Sequence, residues 1–249
     1  MTMNVFKGSV LGAVAALAVG TTARADSIAL VPVSTHYVFA PVGFDDNDES
    51  LVVLDGYLPN SCYRVADPEV VKDLAGKKIS VQARARYIGG VACLQALVPY
   101  TKTVKLGVLP KGDYTVLSNQ GMLAEPLAVI QANNAGPDDF LYAPVDSARV
   151  QAAQDGTLSA VLEGRFTNTC MQWKETKVFY TGKTIQMLPV IQMGEENCQE
   201  VETPYRQVVA LNHLDAGRYL LHVRSLNGES VNTVFPAFEH GDPIGNPTH

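Results

Sequence analysis

Along most of this chain apolar residues either alternate with polar ones or run in short blocks bounded by Gly, Pro, Asn and Asp, the signature of strands rather than of the 3.6-residue helical period. The pattern predicts strands near His36–Val42, Leu51–Leu58, Lys78–Tyr87, Leu94–Tyr100, Thr103–Gly107, Asp113–Ser118 and Leu123–Ile130. A second set follows at Phe140–Val145, Leu158–Phe166, Thr184–Gln192, Gln199–Tyr205, Val208–Leu211, Arg218–Arg224 and Val231–Phe238. A helical turn is expected only at Pro68–Leu74, where Asp67 offers an N-cap and Pro68 takes the first position.

The two sets are copies of one plan. Gly56, Cys62, Cys93, Pro99-Tyr100, Leu109, Gly112 and Tyr114 recur in order as Gly164, Cys170, Cys198, Pro204-Tyr205, Leu214, Gly217 and Tyr219. The offset is 108 residues at the first cysteine and 105 at the second and at the last tyrosine. A unit of about 100 residues closes its own core, so the repeat is a domain rather than a solenoid turn. Seven short strands per copy predict an all-β protein of two tandem sandwiches. The expected boundaries are residues 26–131 and 138–239, joined by a linker at 132–137 rich in turn formers and followed by a tail at 240–249.

One strand differs between the copies. Val81, Ala83, Ala85 and Tyr87 alternate with Gln82, Arg84 and Arg86, as in a strand with one wet face. In the second copy the corresponding outward positions are Leu188 and Val190, so that face is expected to pack against the first domain or a partner. The competing reading is an edge strand with a bulge at Pro189.

The first 25 residues read as a signal peptide: Lys7, an apolar stretch from Val10 to Gly20, and Ala23-Arg24-Ala25 as the cleavage site, with Asp26 as the mature N-terminus. No later run reaches the ~20 apolar residues of a membrane-spanning helix. Export places the four cysteines in an oxidising compartment, and only Cys62–Cys93 with Cys170–Cys198 respects the duplication. A four-thiolate metal site lacks any C-x-x-C pair. Loss of the leader, with Lys7 and Arg24, takes the formal charge from −6 to −8, which disfavours nucleic acid.

Leu109-Pro-Lys-Gly-Asp-Tyr114 and Leu214-Asp-Ala-Gly-Arg-Tyr219 resemble the turn and penultimate strand of immunoglobulin-like and fibronectin-like domains. With Gly56-Tyr-Leu-Pro-Asn-Ser-Cys62 they are similar to exported bacterial domains of that type, to which no activity attaches. The resemblance implies that Tyr114 and Tyr219 are corner residues whose hydroxyls bond back to upstream backbone. The cysteines depart from the pattern. They precede these tyrosines by about 20 residues, so each bridge is expected to tie the end of the second strand to the start of the fourth.

Little else suggests chemistry. His36, His213, His222, His240 and His249 show no metal-ligand spacing, and none repeats between copies. Nucleophile-elbow, Walker, H-E-x-x-H and dinucleotide motifs are missing from the sequence, and no cofactor is expected. The acidic run Asp45, Asp46, Asp48 and Glu49 reads as a solvated turn, with Ca²⁺ binding as the sharper alternative. Arg84 and Arg86 form a possible anionic-ligand surface, and Trp173 beside Cys170 a possible apolar contact point. The expected function is an exported, non-catalytic binding, adhesion or envelope-assembly module with a protein or surface-glycan partner. The alternatives are a hydrolase inhibitor presenting Asn60–Cys62 or Gly89–Ala92, and an enzyme with a site at the domain junction.

Overall fold

A computed structural model describes residues 28–136, 138–194 and 197–238; the leader, Asp26, His240, His249 and the tail lie outside them. The first domain runs β1 (Ile28–Pro32), β2 (Tyr37–Phe39), β3 (Phe44–Asp45), β4 (Glu49–Leu58), β5 (Tyr63–Asp73), β6 (Lys78–Ile88), β7 (Val98–Val108), β8 (Gly112–Ser118) and β9 (Leu123–Ile130). The second runs β10 (Val145–Ala152), β11 (Leu158–Phe166), β12 (Met171–Thr181), β13 (Thr184–Met193), β14 (Thr203–Ala210), β15 (Gly217–Arg224) and β16 (Ser230–Ala237).

Each domain is a β-sandwich. In the first, the sheet containing β5, β6, β8 and β9 faces the sheet β2-β4-β7; in the second, β12-β13-β15-β16 faces β10-β11-β14. The pairings repeat: antiparallel β5–β6 and β12–β13, antiparallel β4–β7 and β11–β14, and antiparallel β8–β9 and β15–β16. In both copies one neighbouring pair within the larger sheet is parallel, β6 with β8 and β13 with β15. In domain one β3 also runs parallel to β9, and these parallel pairs depart from the antiparallel sheets of the domains the sequence resembles.

Several elements differ from the sequence reading. Pro68–Leu74 is not helical; Pro68 to Asp73 lie in β5 and Leu74 opens the turn after it, and the β5 register shifts between Ala66 and Glu69, which accommodates a proline that has no N–H to donate. β12 carries Lys174, Glu175 and Lys177 and is exposed along much of its length, so its apolar period is weak. The two short runs on either side of Thr101-Lys102 merge into β7, and those around Arg206-Gln207 into β14. At the start of domain two, Tyr142 bridges Val190 alone, and the long strand is β10, over Val145–Ala152.

The domains stack face to face. Along β15, Tyr219, Leu221 and Val223 point into the second core, whereas Leu220 joins the core cluster of the first. Its neighbours on that same face, Arg218, His222 and Arg224, meet Asp55, Phe44 and Asp48 of domain one. The β2-β4-β7 sheet therefore has protein on both sides. This explains why Leu51, Val52, Val53 and Leu54 are consecutive and all buried, where a one-sided strand would alternate. β15 shows the same run of burial from Tyr219 to Arg224.

The repeated residues are those that close each sandwich. Gly56 lies opposite Tyr100 and Gly164 opposite Tyr205 in the strand register. Each tyrosine lies across its glycine and donates its hydroxyl hydrogen bond to the backbone leading into the edge strand of the same sheet, β2 or β10, Tyr100 to Ser34 O at 2.9 Å and Tyr205 to Pro144 O at 2.7 Å. Lys77 Nζ sits 4.5 Å from the Tyr114 ring centroid, and Lys183 Nζ 4.4 Å from that of Tyr219. Gly112 and Gly217 leave room for those lysines. Tyr114 also donates to Pro110 O at 2.7 Å, the corner bond the resemblance implies; Tyr219 instead accepts from Lys183 at 2.8 Å.

A Cβ at Gly164 would lie 2.1 Å from Pro144 O, and one at Gly56 2.8 Å from Ser34 O. Gly164→Ala is therefore expected to destabilise the protein by about 3 kcal/mol and Gly56→Ala by roughly 2 kcal/mol, since the obstacle in each case is backbone. Urea unfolding of the two variants checks both the sign and the order.

Candidate functional site at the junction and the disulfide ends

Two places concentrate unusual side chains. The first is the domain junction. Arg224 on β15 donates to Asp48 at 2.7 Å, and both side chains are almost wholly buried. Arg224 also lies 3.7 Å from Asp138 and faces the ring of Tyr142. Burial pushes the Asp48 carboxyl above its ordinary range against the pull of Arg224, and burial pushes the Tyr142 hydroxyl up to about 12. At the other end of β15, Arg218 makes a two-pronged contact with Asp55 at 2.8 and 3.1 Å.

Between these pairs, His222 is fully buried, its ring edge-on to Phe44. Its Nδ1 lies 2.7 Å from Asn232 Oδ1, while Asn232 Nδ2 donates to Ser230 Oγ, so the amide oxygen accepts and Nδ1 carries the proton. Nε2 is buried with no hydrogen-bond partner. Burial depresses the His222 pKa to about 4, and the Arg224 charge adds to the effect.

The acidic run belongs to this junction. Asp48 is held by Arg224, Glu49 pairs with Lys105 at 2.6 Å, Asp45 Oδ1 accepts from Asn47 N, and Asp46 Oδ1 accepts from Ala132 N at 2.8 Å. The four carboxylates are directed to separate partners, and among the described residues no group of three or more His, Cys, Asp or Glu is arranged to hold a metal. Leu188 and Val190 are buried against Tyr142, so the cover on that face of β13 comes from the segment leading into domain two; Gln186, further along the same face, reaches Gly43 of domain one.

The second place is the disulfide end of each sandwich. Cys62 bonds Cys93 and Cys170 bonds Cys198, each tying the turn before β5 or β12 to the connection before β7 or β14. The turn itself is Asn60-Ser61-Cys62 or Asn168-Thr169-Cys170. The asparagine Oδ1 accepts from the cysteine N–H, at 2.9 Å for Asn60 and 3.0 Å for Asn168. The hydroxyl residue reaches the residue after the second cysteine. Leu94 N donates to Ser61 Oγ at 2.8 Å and Gln199 N to Thr169 Oγ1 at 3.0 Å, with Ser61 N and Thr169 N donating back to the Leu94 and Gln199 carbonyls. The signal for this was in the sequence as the repeated triplet Asn-Ser/Thr-Cys that ends at the first cysteine of each copy.

Pinned alike, the two connections differ in chemistry. Ile88 to Tyr100 contains no charged residue, and Val91, Leu94 and Leu97 are 51, 75 and 68 % exposed. The second copy has Glu200 and Glu202 there, with Glu195 and Glu196 before the cysteine in sequence.

Arg84 and Arg86 lie on the outer face of β6, where Arg84 is engaged by Glu69 at 3.7 Å and the Asp67 carbonyl, while Arg86 is exposed in register with Arg64. Trp173 is half-buried, packed on the second core with its ring 5.3 Å from that of Tyr205. A groove over Gly164 is lined by charged groups already paired, Arg165 with Asp146 and Arg206 with Glu163, which Arg149 also binds from outside the lining.

Removing either partner of the Asp48–Arg224 pair strands a buried charge. Asp48→Ala and Arg224→Met are each expected to cost roughly 3–5 kcal/mol, whereas the double variant Asp48→Leu/Arg224→Met recovers most of that loss. Calorimetry on the three variants tests it, and recovery in the double variant is the deciding result. His222 binds a proton more readily unfolded, near its ordinary pKa of 6.5, than folded, near 4. Stability is therefore full above about pH 6.5 and falls by roughly 3 kcal/mol as the pH drops to 4. Denaturant midpoints over that range should slope in the native protein and flatten in His222→Gln.

The model of the ORF11 beta-sandwich domain matches the chain twice, over residues 52–125 and 160–237. No curated protein and no solved structure matches it. Each match spans one copy of the plan, from the buried central strand of one sheet into the final strand of the other, and together they cover more than half of the sequence; the chain belongs to the ORF11 beta-sandwich domain family, with two copies in tandem.

Proposed function

We propose that the protein is an exported, non-catalytic module that binds a protein partner in adhesion or envelope assembly, using the disulfide end of its first domain. The observation that carries this reading is the loop Gly89–Leu97: three large apolar side chains stand more than half exposed on backbone held by a disulfide and by the Ser61–Leu94 bonds. Exposed apolar groups on a pinned loop favour binding, because apolar area is available and little conformational entropy remains to be lost. The junction supports a scaffolding role: its charged groups are engaged with one another, with Arg224 on Asp48 and Arg218 on Asp55. Two disulfides suit an oxidising compartment, and no described helix is long and apolar enough to cross a membrane.

The same loop favours a second reading, a hydrolase inhibitor that presents Gly89–Ala92 to an enzyme cleft. Leu94→Asp/Leu97→Asp alters only exposed positions, so its circular dichroism and melting should match the native protein. Immobilised native protein should retain a partner from an envelope extract that this variant does not; equal retention by both would remove the loop from the reading. Slowing of a protease panel at roughly micromolar concentration, lost in the same variant, would favour the inhibitor.

A further inference from the structure

The two disulfide ends lie at opposite poles of the molecule. β15 runs parallel to β13, and β13 leads into Cys198. Across the junction Arg218 meets Asp55 while Arg224 meets Asp48. Moving along β15 towards the Cys170–Cys198 bridge therefore moves backwards along β4, away from Cys62.

The poles carry matching chemistry. At the first, Val91, Leu94 and Leu97 are exposed, and Arg64 and Arg86 stand exposed side by side where β5 and β6 run up to the bridge. At the second, Val201 is 51 % exposed between Glu200 and Glu202, and Met193 is 46 % exposed at the end of β13. Glu202 is steadied by Arg165 at 3.5 Å.

We propose that the occupant of the first pole is the acidic second pole of another copy of this chain, in a head-to-tail contact. The proposal rests on the reading of Gly89–Leu97 as a binding surface and names its partner. Val201 and Met193 of one copy bury against Leu94 and Leu97 of the next, and Glu200 and Glu202 meet Arg64 and Arg86. Apolar area supplies the attraction, and the charges select the polarity, since two first poles or two second poles would set like charges against each other. Such a contact is heterologous. It leaves one pole of each kind free on every assembly, so it extends into chains instead of stopping at a dimer.

Sedimentation equilibrium of the mature chain, at concentrations up to about 1 mM, tests this. The expected result is a mass that rises past two copies with concentration. Arg64→Glu/Arg86→Glu and Glu200→Arg/Glu202→Arg should each weaken association about tenfold or more alone, and an equimolar mixture of the two should restore it, because each reversed pole then finds its complement. Should a reversal variant fail to fold by circular dichroism, the surface change Leu94→Asp takes its place and should leave the chain monomeric. A native chain that stays monomeric, a mass that stops at two, or charge-reversed variants that associate like the native chain would each overturn the proposal. So would capture by phosphatidylglycerol vesicles without self-association, which assigns the apolar pole to a lipid surface. Loss of self-association with retained, Leu94-dependent capture of an envelope protein would overturn this inference and leave the proposed function standing.

Discussion

The structure depends on two sheets that are each buried on both faces. The β2-β4-β7 sheet has its own sandwich partner on one side and the β13-β15-β16 surface of the other domain on the opposite side. Leu220 is the clearest expression of this, because it belongs to domain two by sequence and to the core of domain one by packing. Its placement leaves little solvent on the rest of that face: His222 and Arg224 are buried, Arg218 keeps a quarter of its side chain exposed, and each has a protein partner. Two find carboxylates and the third an amide. A buried pair of this kind is weak as a source of stability, because desolvation offsets most of the Coulomb attraction, yet it is intolerant of half-removal and so holds the two domains in one register.

The duplication separates what a sandwich needs from what it can spare. Closure of each copy requires a tyrosine lying over a glycine, a lysine over a second tyrosine, and an Asn-Ser/Thr-Cys turn bonded to the residue beyond the second cysteine. These parts recur because each fills a space or satisfies a buried backbone group that no other side chain would fit. The connection that the disulfide pins has no such duty. It has become apolar in one copy and acidic in the other without change to the frame that carries it. A loop that is braced from outside can change residue type without cost to the frame.

The acidic run shows how position changes chemistry. Read as five residues in a row, Asp45 to Glu49 suggests a hydrated turn or a cation site. Folded, one carboxylate is turned inward to an arginine 176 residues away and another outward to Lys105. Nothing local distinguishes Asp48 from Asp46, because the difference is made by a strand of the other domain.

By itself the sequence determined the class, the copy number and the bridges. Alternating apolar residues bury one face of a strand, and spacing repeated over about 105 residues requires the same frame, cysteines included, twice, so all three follow from local periodicity and repeat spacing. The double-sided burial of β13 was also legible, from Leu188 and Val190, although what covers them is Tyr142. Edge strands such as β5 and β12 were not, since only a few of their side chains, among them Val70 and Trp173, pack on a core and the apolar period is too weak to read. The parallel pairing of β6 with β8, the meeting of Asp48 with Arg224 and the opposite poling of the two disulfide ends were decided only by tertiary structure. Each depends on which surfaces come together across the whole chain, and pairing between distant strands leaves no trace in the residues flanking any one of them.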